Sequence, residues 1–320
     1  MSVTRRTTGS FEAGACRRVG ALMNGLRVVL FGCPRTSHDG TQWFRQETRQ
    51  AEALLAYLLL HGPRPHPRDV LAGLFWADSP EGRARNALNT TLWRLRKRLE
   101  PAGICRGTYL ETGPADEVGL NWRSDLWFDV GAFEGAVGDV VDQQAGSLDD
   151  ETVLQRVQRA LDLYEGELLE GFYEDWILRE RERLRSLYFK SLVALMRRAL
   201  ARNEWEYALN LGKRILDKDP VRESIHREVI SLHLWMGQRT QALRQYENCV
   251  ETLRSELDVG PTEETRALYD RIVAERAVPD STSDALQSRQ ITALRDLKDA
   301  LDAASRAVER LKATIHQGRP

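Results

Sequence analysis

The chain is short of cysteine, of histidine and of long apolar runs, and each scarcity removes a class of protein. Its four cysteines, Cys16, Cys33, Cys105 and Cys249, stand far apart, and its six histidines are scattered. None of them falls at a metal-ligand spacing, so no zinc site and no cofactor are expected, and unpaired thiols suit a reducing cytoplasm. No segment approaches the ~18 consecutive apolar residues of a membrane span. Residues 1–22 carry Arg5, Arg6, Arg17 and Arg18 without the apolar run of a signal peptide, and read as a disordered basic leader, with Met23 as an alternative start. No phosphate loop and no nucleophile–base spacing occurs. Asp149-Asp150-Glu151 and the pair Glu180 and Glu182 stand on helices beside arginines, where ion pairing is the expected role. The reading is therefore not an enzyme.

One absence is local and more telling. From Arg83 to Arg98 there are six basic residues and no acidic one. A solvated helix ordinarily mixes signs, because i,i+4 pairs stabilise it. Ala84, Leu88, Leu92, Leu95 and Leu99 recur at spacings of 4, 4, 3 and 4, which is a helical period. The opposite side carries Asn86, Asn89, Thr90, Trp93 and Lys97, flanked by Arg83, Arg94 and Arg96. Cations neutralise phosphates, and Asn can pair with adenine in the major groove. Charge is divided the same way along the chain. Residues 1–122 hold 17 Lys/Arg and 11 Asp/Glu, a difference of +6, and the remaining 29 and 36 give −7, together the net −1. A basic front and an acidic back suit a nucleic-acid reader joined to something else.

Taken in order, LRVVLFG (26–32) predicts a strand and His38-Asp39-Gly40-Thr41 a turn, after which TQWF (41–44) pairs back. Gln50–His61 predicts a helix stopped by Gly62-Pro63, and DVLAGLFW (69–76) a second. Ser79 predicts the N-cap of the basic helix, with Pro80 at its first position and Pro101 beyond its end. TYLET (108–112) and VGLNW (118–122) flank Gly113-Pro114 as a hairpin. Strands, three helices and a hairpin are the order of a winged helix-turn-helix domain, similar to the variant of OmpR-type response regulators. In that fold Asn86, Asn89 and Thr90 are base-edge candidates, and Arg83, Arg94 and Lys97 phosphate contacts. Trp93 has two readings: a base-reading contact against a thymine methyl or a sugar, or packing beneath the wing.

From residue 125 the pattern is helical, with helices at 130–141, 152–165, 176–202, 205–217, 222–236, 240–257 and 262–273 and no strand. Ala208-Leu209 recurs 34 residues on as Ala242-Leu243, Leu195 as Val229, Leu200 as Leu234 and the break at Asn203 as Gly237. That period is tetratricopeptide-like, though Gly212 and Arg254 depart from the pattern. Beyond the polar stretch 279–288, Leu294, Leu297, Leu301, Ala304, Val308, Leu311 and Ile315 alternate at 3 and 4. This seam reads either as a helix packed back on the chain or as a coiled-coil homodimer contact.

Six stretches in order carry a family resemblance. They are LRVVLFG, RQAEALLAYLLLHGPRPHPRDVLAGLFW, ARNALNTTLWRLRKRLEP, DLWFDVGAFE, YEGELLEGFYEDWILRERERLRSLY and HLWMGQRTQALRQYENCVETLRSELDVGPTEETRALYDRI. Over roughly residues 26–273 the chain resembles the streptomycete-type antibiotic regulatory proteins, which join an OmpR-like winged helix to a bacterial transcriptional activation domain. The resemblance implies an activator that binds repeats in promoter double-stranded DNA and contacts RNA polymerase. It places Arg85-Asn86, Arg94 and Arg96-Lys97-Arg98 on the family's recognition helix, adding Arg85 and Arg96 to the phosphate candidates. Trp93 stands where a smaller or polar residue is expected. The larger relatives carry an ATPase module, whose phosphate-loop signature this sequence lacks.

The expectation is thus an α+β winged helix-turn-helix domain followed by an all-α tetratricopeptide-like domain and a C-terminal helix. The expected boundaries are a leader at 1–22, the reader at 23–123, the helical domain at 124–277 and the linker with its heptad helix at 278–320. The alternative is a protein-interaction adaptor, built on the repeats, whose winged helix does not read DNA.

Overall fold

The computed structural model describes residues 25–38, 42–45, 48–142, 148 and 150–274. The leader, Asp149, the heptad seam and any homodimer contact through it lie outside the described residues. The chain divides into two compact units, residues 1–201 and 202–320.

In the first unit, β1 (Leu26–Val29), β2 (Arg35–His38) and β3 (Gln42–Phe44) form an antiparallel meander. β1 is shorter than the apolar run LRVVLFG. Beyond Val29 the Leu30 and Phe31 N–H groups donate to the Asp129 carboxylate, each at 2.9 Å. Three helices follow: α1 (Arg49–Leu60), α2 (Arg68–Phe75) and α3 (Glu81–Leu99). Thr48 caps α1, its hydroxyl accepting from Ala51 N at 3.2 Å. The helix ends before Gly62, whose missing Cβ leaves room for the Trp122 ring. β5 (Leu110–Thr112) and β6 (Glu117–Leu120) make the hairpin, and β4 (His66–Pro67) joins its outer edge in the order β4-β6-β5. Proline fits there because an edge strand has one side without ladder bonds.

Ser79 is not the cap of α3. Pro80 occupies that position without a side-chain bond, and its carbonyl accepts from Arg83 and Ala84 N. The φ of −54° that its ring imposes already suits the helix entrance, so the turn needs no side-chain cap.

A strand also appears where none was expected. β7 (Trp127–Phe128) runs parallel to β1 and completes the sheet order β3-β2-β1-β7. It leads directly into α4 (Asp129–Asp142), which packs with α5 (Glu151–Asp162) and α6 (Asp175–Ala201). The loop before α6 continues the pairing: Gly32 N donates to Glu167 O at 2.7 Å, and Leu169 N to Leu30 O at 2.9 Å. Arg181 holds that loop by donating to the carbonyls of Leu168, Leu169 and Phe172. Near the start of α6, Trp176 meets the rings of Tyr57, His61 and Phe75 at centroid distances of 5.3, 5.9 and 6.3 Å. The winged helix and the first three helices after it therefore share one core. Asp150 is a helix cap, accepting from the Thr152 N–H and hydroxyl at 2.8 and 2.7 Å, while Glu180 is ion-paired with Arg183 at 2.8 Å.

The second unit is a helical stack of α7 (Trp205–Lys218), α8 (Glu223–Trp235), α9 (Arg239–Leu257) and α10 (Glu263–Ala274). The 34-residue repeat is visible in its backbone. Asn203 and Gly237, at equivalent positions, both take the left-handed conformation, with φ of 58° and 70°. Ala208 and Ala242 are fully buried, where only a small side chain lets helices approach. His226 joins α8 to α9: Nε2 donates to Pro220 O at 2.9 Å while Nδ1 accepts from Gln245 Nε2 at 2.7 Å. Burial lowers its pKa, and this neutral tautomer leaves both ring nitrogens satisfied. Among the described residues, no helix is long and apolar enough to cross a membrane.

Candidate nucleic-acid interface

The third helix buries one stripe and exposes the other. Ala84, Leu88, Thr91, Leu92, Leu95 and Leu99 are buried. Arg83, Arg85, Asn86, Asn89, Thr90, Trp93 and Lys97 are exposed, with Arg94 and Arg96 half-buried. The side chains singled out for DNA contact thus lie together on one outer surface, which ends at the wing.

Their individual settings differ. The Thr90 hydroxyl donates to Asn86 O at 2.9 Å, so it faces outward only as an acceptor. Trp93 is 62% exposed, which removes the reading in which it packs beneath the wing. Lys97 Nζ sits 5.4 Å from the Trp93 ring centroid, so cation and ring present a joint surface. Asn89 Oδ1 accepts from Arg68 Nη1 at 2.5 Å.

Arg85 and Arg96 have partners in and around the wing. Arg85 pairs with Asp69 at 3.2 Å and with Asp116 at the wing tip. Arg96 Nη2 donates to Leu110 O at 3.0 Å and to Thr112 Oγ1 at 3.5 Å, fastening α3 to β5. Burial lowers the Arg96 pKa from its ordinary value, with Glu100 opposing. Glu100, just beyond α3, accepts from the N–H groups of Gly107, Tyr109 and Leu110 at 3.0, 2.9 and 3.0 Å. These bonds set the angle between helix and hairpin. Between them lies a groove of about 400 Å³, lined by Arg68, Asn89, Trp93, Arg96, Lys97 and Arg106, among others.

Sequence reasoning missed Arg68, Arg106, Asp116 and Glu100. None lies on the acid-free face. Their partners are set by the fold: Arg68 and Asp116 stand 48 positions apart by their numbers (116 − 68), yet their side chains come within 3.1 Å. Only the Gly113-Pro114 turn signal hinted that a side chain would return to the helix there.

A helix with a cationic and amide-bearing face can enter the major groove, which is about 12 Å wide, while a hairpin beside it follows the backbone. Fold and surface together define a winged helix-turn-helix protein with a tetratricopeptide-like body. The sequence pattern of the bacterial transcriptional activator domain matches residues 128–273. The chain is 29% identical over 303 residues to the regulatory protein AfsR of Streptomyces coelicolor, covering 88% of this chain but only 29% of AfsR. It is 26% identical over 250 residues to the transcriptional regulatory protein MoaR1 of Mycobacterium tuberculosis, covering 73% of this chain and 75% of MoaR1. The solved structure of Mycobacterium tuberculosis EmbR, in complex with a low affinity phosphopeptide, superposes with a TM-score of 0.61 at 22% identity. That likeness covers 86% of this chain and 71% of EmbR, and speaks for the fold. The chain is thus similar over most of its length to proteins named as regulators, and it spans less than a third of the length of AfsR.

Proposed function

We propose that this protein is a sequence-specific, DNA-binding transcriptional activator of the cytoplasm, without catalytic activity, that binds promoter repeats and contacts RNA polymerase. One observation carries the reading. The outer face of α3, free of acid from Arg83 to Arg98, is presented beside the hairpin with its amides and cations exposed. The relatives AfsR and MoaR1 are named as regulators, which supports it.

In this reading Asn86, Asn89 and Thr90 meet base edges, and Trp93 lies against a thymine methyl or a sugar. Arg83, Arg94 and Lys97 neutralise phosphates. Arg85 and Arg96 act chiefly through the wing, where Asp116 takes the first and the Leu110 carbonyl the second. The functional boundaries are the reader at 23–123 and the activator domain at 124–277, with the heptad tail joining two copies for a two-site operator. Genome-wide mapping of the DNA bound by the full chain tests the proposal. A sharp peak over a promoter, with transcription from it lost on deletion of the gene, is the expected result. Uniform low occupancy without peaks would contradict it.

A further inference from the structure

We propose that Arg68 and Asp116 set the base preference of the recognition helix, by fixing the Asn89 side-chain amide as a hydrogen-bond donor toward the groove. The inference rests on α3 entering the major groove, as proposed above. An unrestrained Asn offers an acceptor and a donor side by side, the combination that matches adenine. Asn89 is restrained. Arg68 Nη1 lies 2.5 Å from its Oδ1, and a guanidinium has only donors, so the amide atom facing it is the oxygen. The Nδ2 group then points away from Arg68.

Arg68 is itself held. Its side chain is 19% exposed, its Nε lies 3.1 Å from Asp116 Oδ1, and its backbone N–H donates to Asp116 O at 3.2 Å. Asp116 sits at the wing tip in the left-handed conformation, φ 57°, which an aspartate tolerates better than most residues. It also receives Arg85, which in turn reaches Asp69. The wing tip thus determines, through Arg68, which side of the Asn89 amide faces outward. An amide NH₂ aimed at adenine finds one acceptor, N7, beside the N6 amino group, which sets donor against donor. Aimed at guanine it meets N7 and O6, both acceptors, and at thymine it meets O4. Asn89 held in this way favours guanine or thymine over adenine.

The test selects duplexes from a random-sequence pool with the full chain and with Asn89→Ala, Arg68→Lys and Asp116→Asn. Lysine keeps the charge but lacks the fork that serves two partners at once. Asp116→Asn releases Arg68 without altering it, and stands in if circular dichroism shows that Arg68→Lys does not fold. The expected wild-type motif has guanine or thymine at the position that Asn89→Ala flattens. In the Arg68 and Asp116 variants the preference at that position shifts toward adenine by about fivefold or more, other positions being kept. Adenine or cytosine there in the wild type, no position dependent on Asn89, or no shift in the variants would overturn the inference while leaving DNA reading intact. A wild-type chain that enriches no sequence overturns the reading of α3 and the inference with it.

Discussion

Replacing Asp129 by Asn should cost less stability near neutral pH than in mild acid, and the structure gives the size of the difference. The Asp129 carboxylate is 1% exposed at the start of α4 and accepts from the N–H groups of Leu30 and Phe31 at 2.9 Å and of Val130 at 2.8 Å. Burial outweighs these bonds and pushes its pKa from 3.8 to about 6. A raised carboxyl pKa means that the folded chain holds the proton more tightly than the unfolded chain. The group's stabilisation is then fully present below about pH 4 and is lost as the pH rises through about 6. The whole span, about two pKa units at 1.36 kcal/mol each, is roughly 3 kcal/mol. Between about pH 5 and about pH 7.5 the linkage relation gives ~1.4 kcal/mol. Asn does not titrate, and its NH₂ opposes one of the backbone N–H groups, so the variant is less stable at both values. Its penalty, however, should be about 1.4 kcal/mol smaller near pH 7.5. Urea unfolding of both proteins at the two pH values, followed by circular dichroism, measures this. A penalty equal at both, or larger near pH 7.5, would show that the backbone bonds outweigh burial and would refute the reasoning.

Gly62→Ala should destabilise the first unit by about 1–3 kcal/mol, because the new methyl overlaps the Trp122 ring, and thermal melting reads the loss. Arg96→Ala should weaken DNA binding at every salt concentration while changing the salt slope less than a phosphate contact would, since this side chain is spent on Leu110 O and Thr112. A slope reduced by a full ~0.9 in a gel-shift titration would return Arg96 to the phosphate set. Removing residues 279–320 should lower the solution mass from dimer to monomer, and an unchanged mass by light scattering would refute dimerisation through Leu294–Ile315.

What could be read from the sequence was what is encoded locally. The stripe Ala84, Leu88, Leu92, Leu95, Leu99 is the buried face of α3, because a 3.6-residue period needs nothing beyond the helix itself. The 34-residue repeat was legible for a similar reason: a tight helical turn needs a residue at ease with positive φ, and Asn203 and Gly237 supply it. What escaped is non-local. β4 and β7 have two residues each, too few for an alternation to register, and exist only because distant strands pair with them. RTSH (35–38) is polar, yet Thr36 and Ser37 are buried, so β2 follows from its place beside β1 and not from hydrophobicity. Asp129 carries no local sign of burial, because the Leu30 and Phe31 N–H groups that it accepts from lie 99 and 98 positions away. In the surface proposed to meet DNA, the face was legible but not the division of labour on it. Nothing in the sequence near Arg85 or Arg96 tells that the wing returns to take them.

The claim that the exposed face of α3 meets DNA is tested most directly by the salt dependence of binding to a promoter fragment recovered by mapping. Arg83 and Lys97 are exposed on that face, and each neutralised phosphate contributes about 0.9 to the slope of log K against log salt. The double variant Arg83→Ala and Lys97→Ala, folded by circular dichroism, should bind more weakly and with a slope shallower by about 1.8. A slope equal to that of the unaltered protein would contradict the claim.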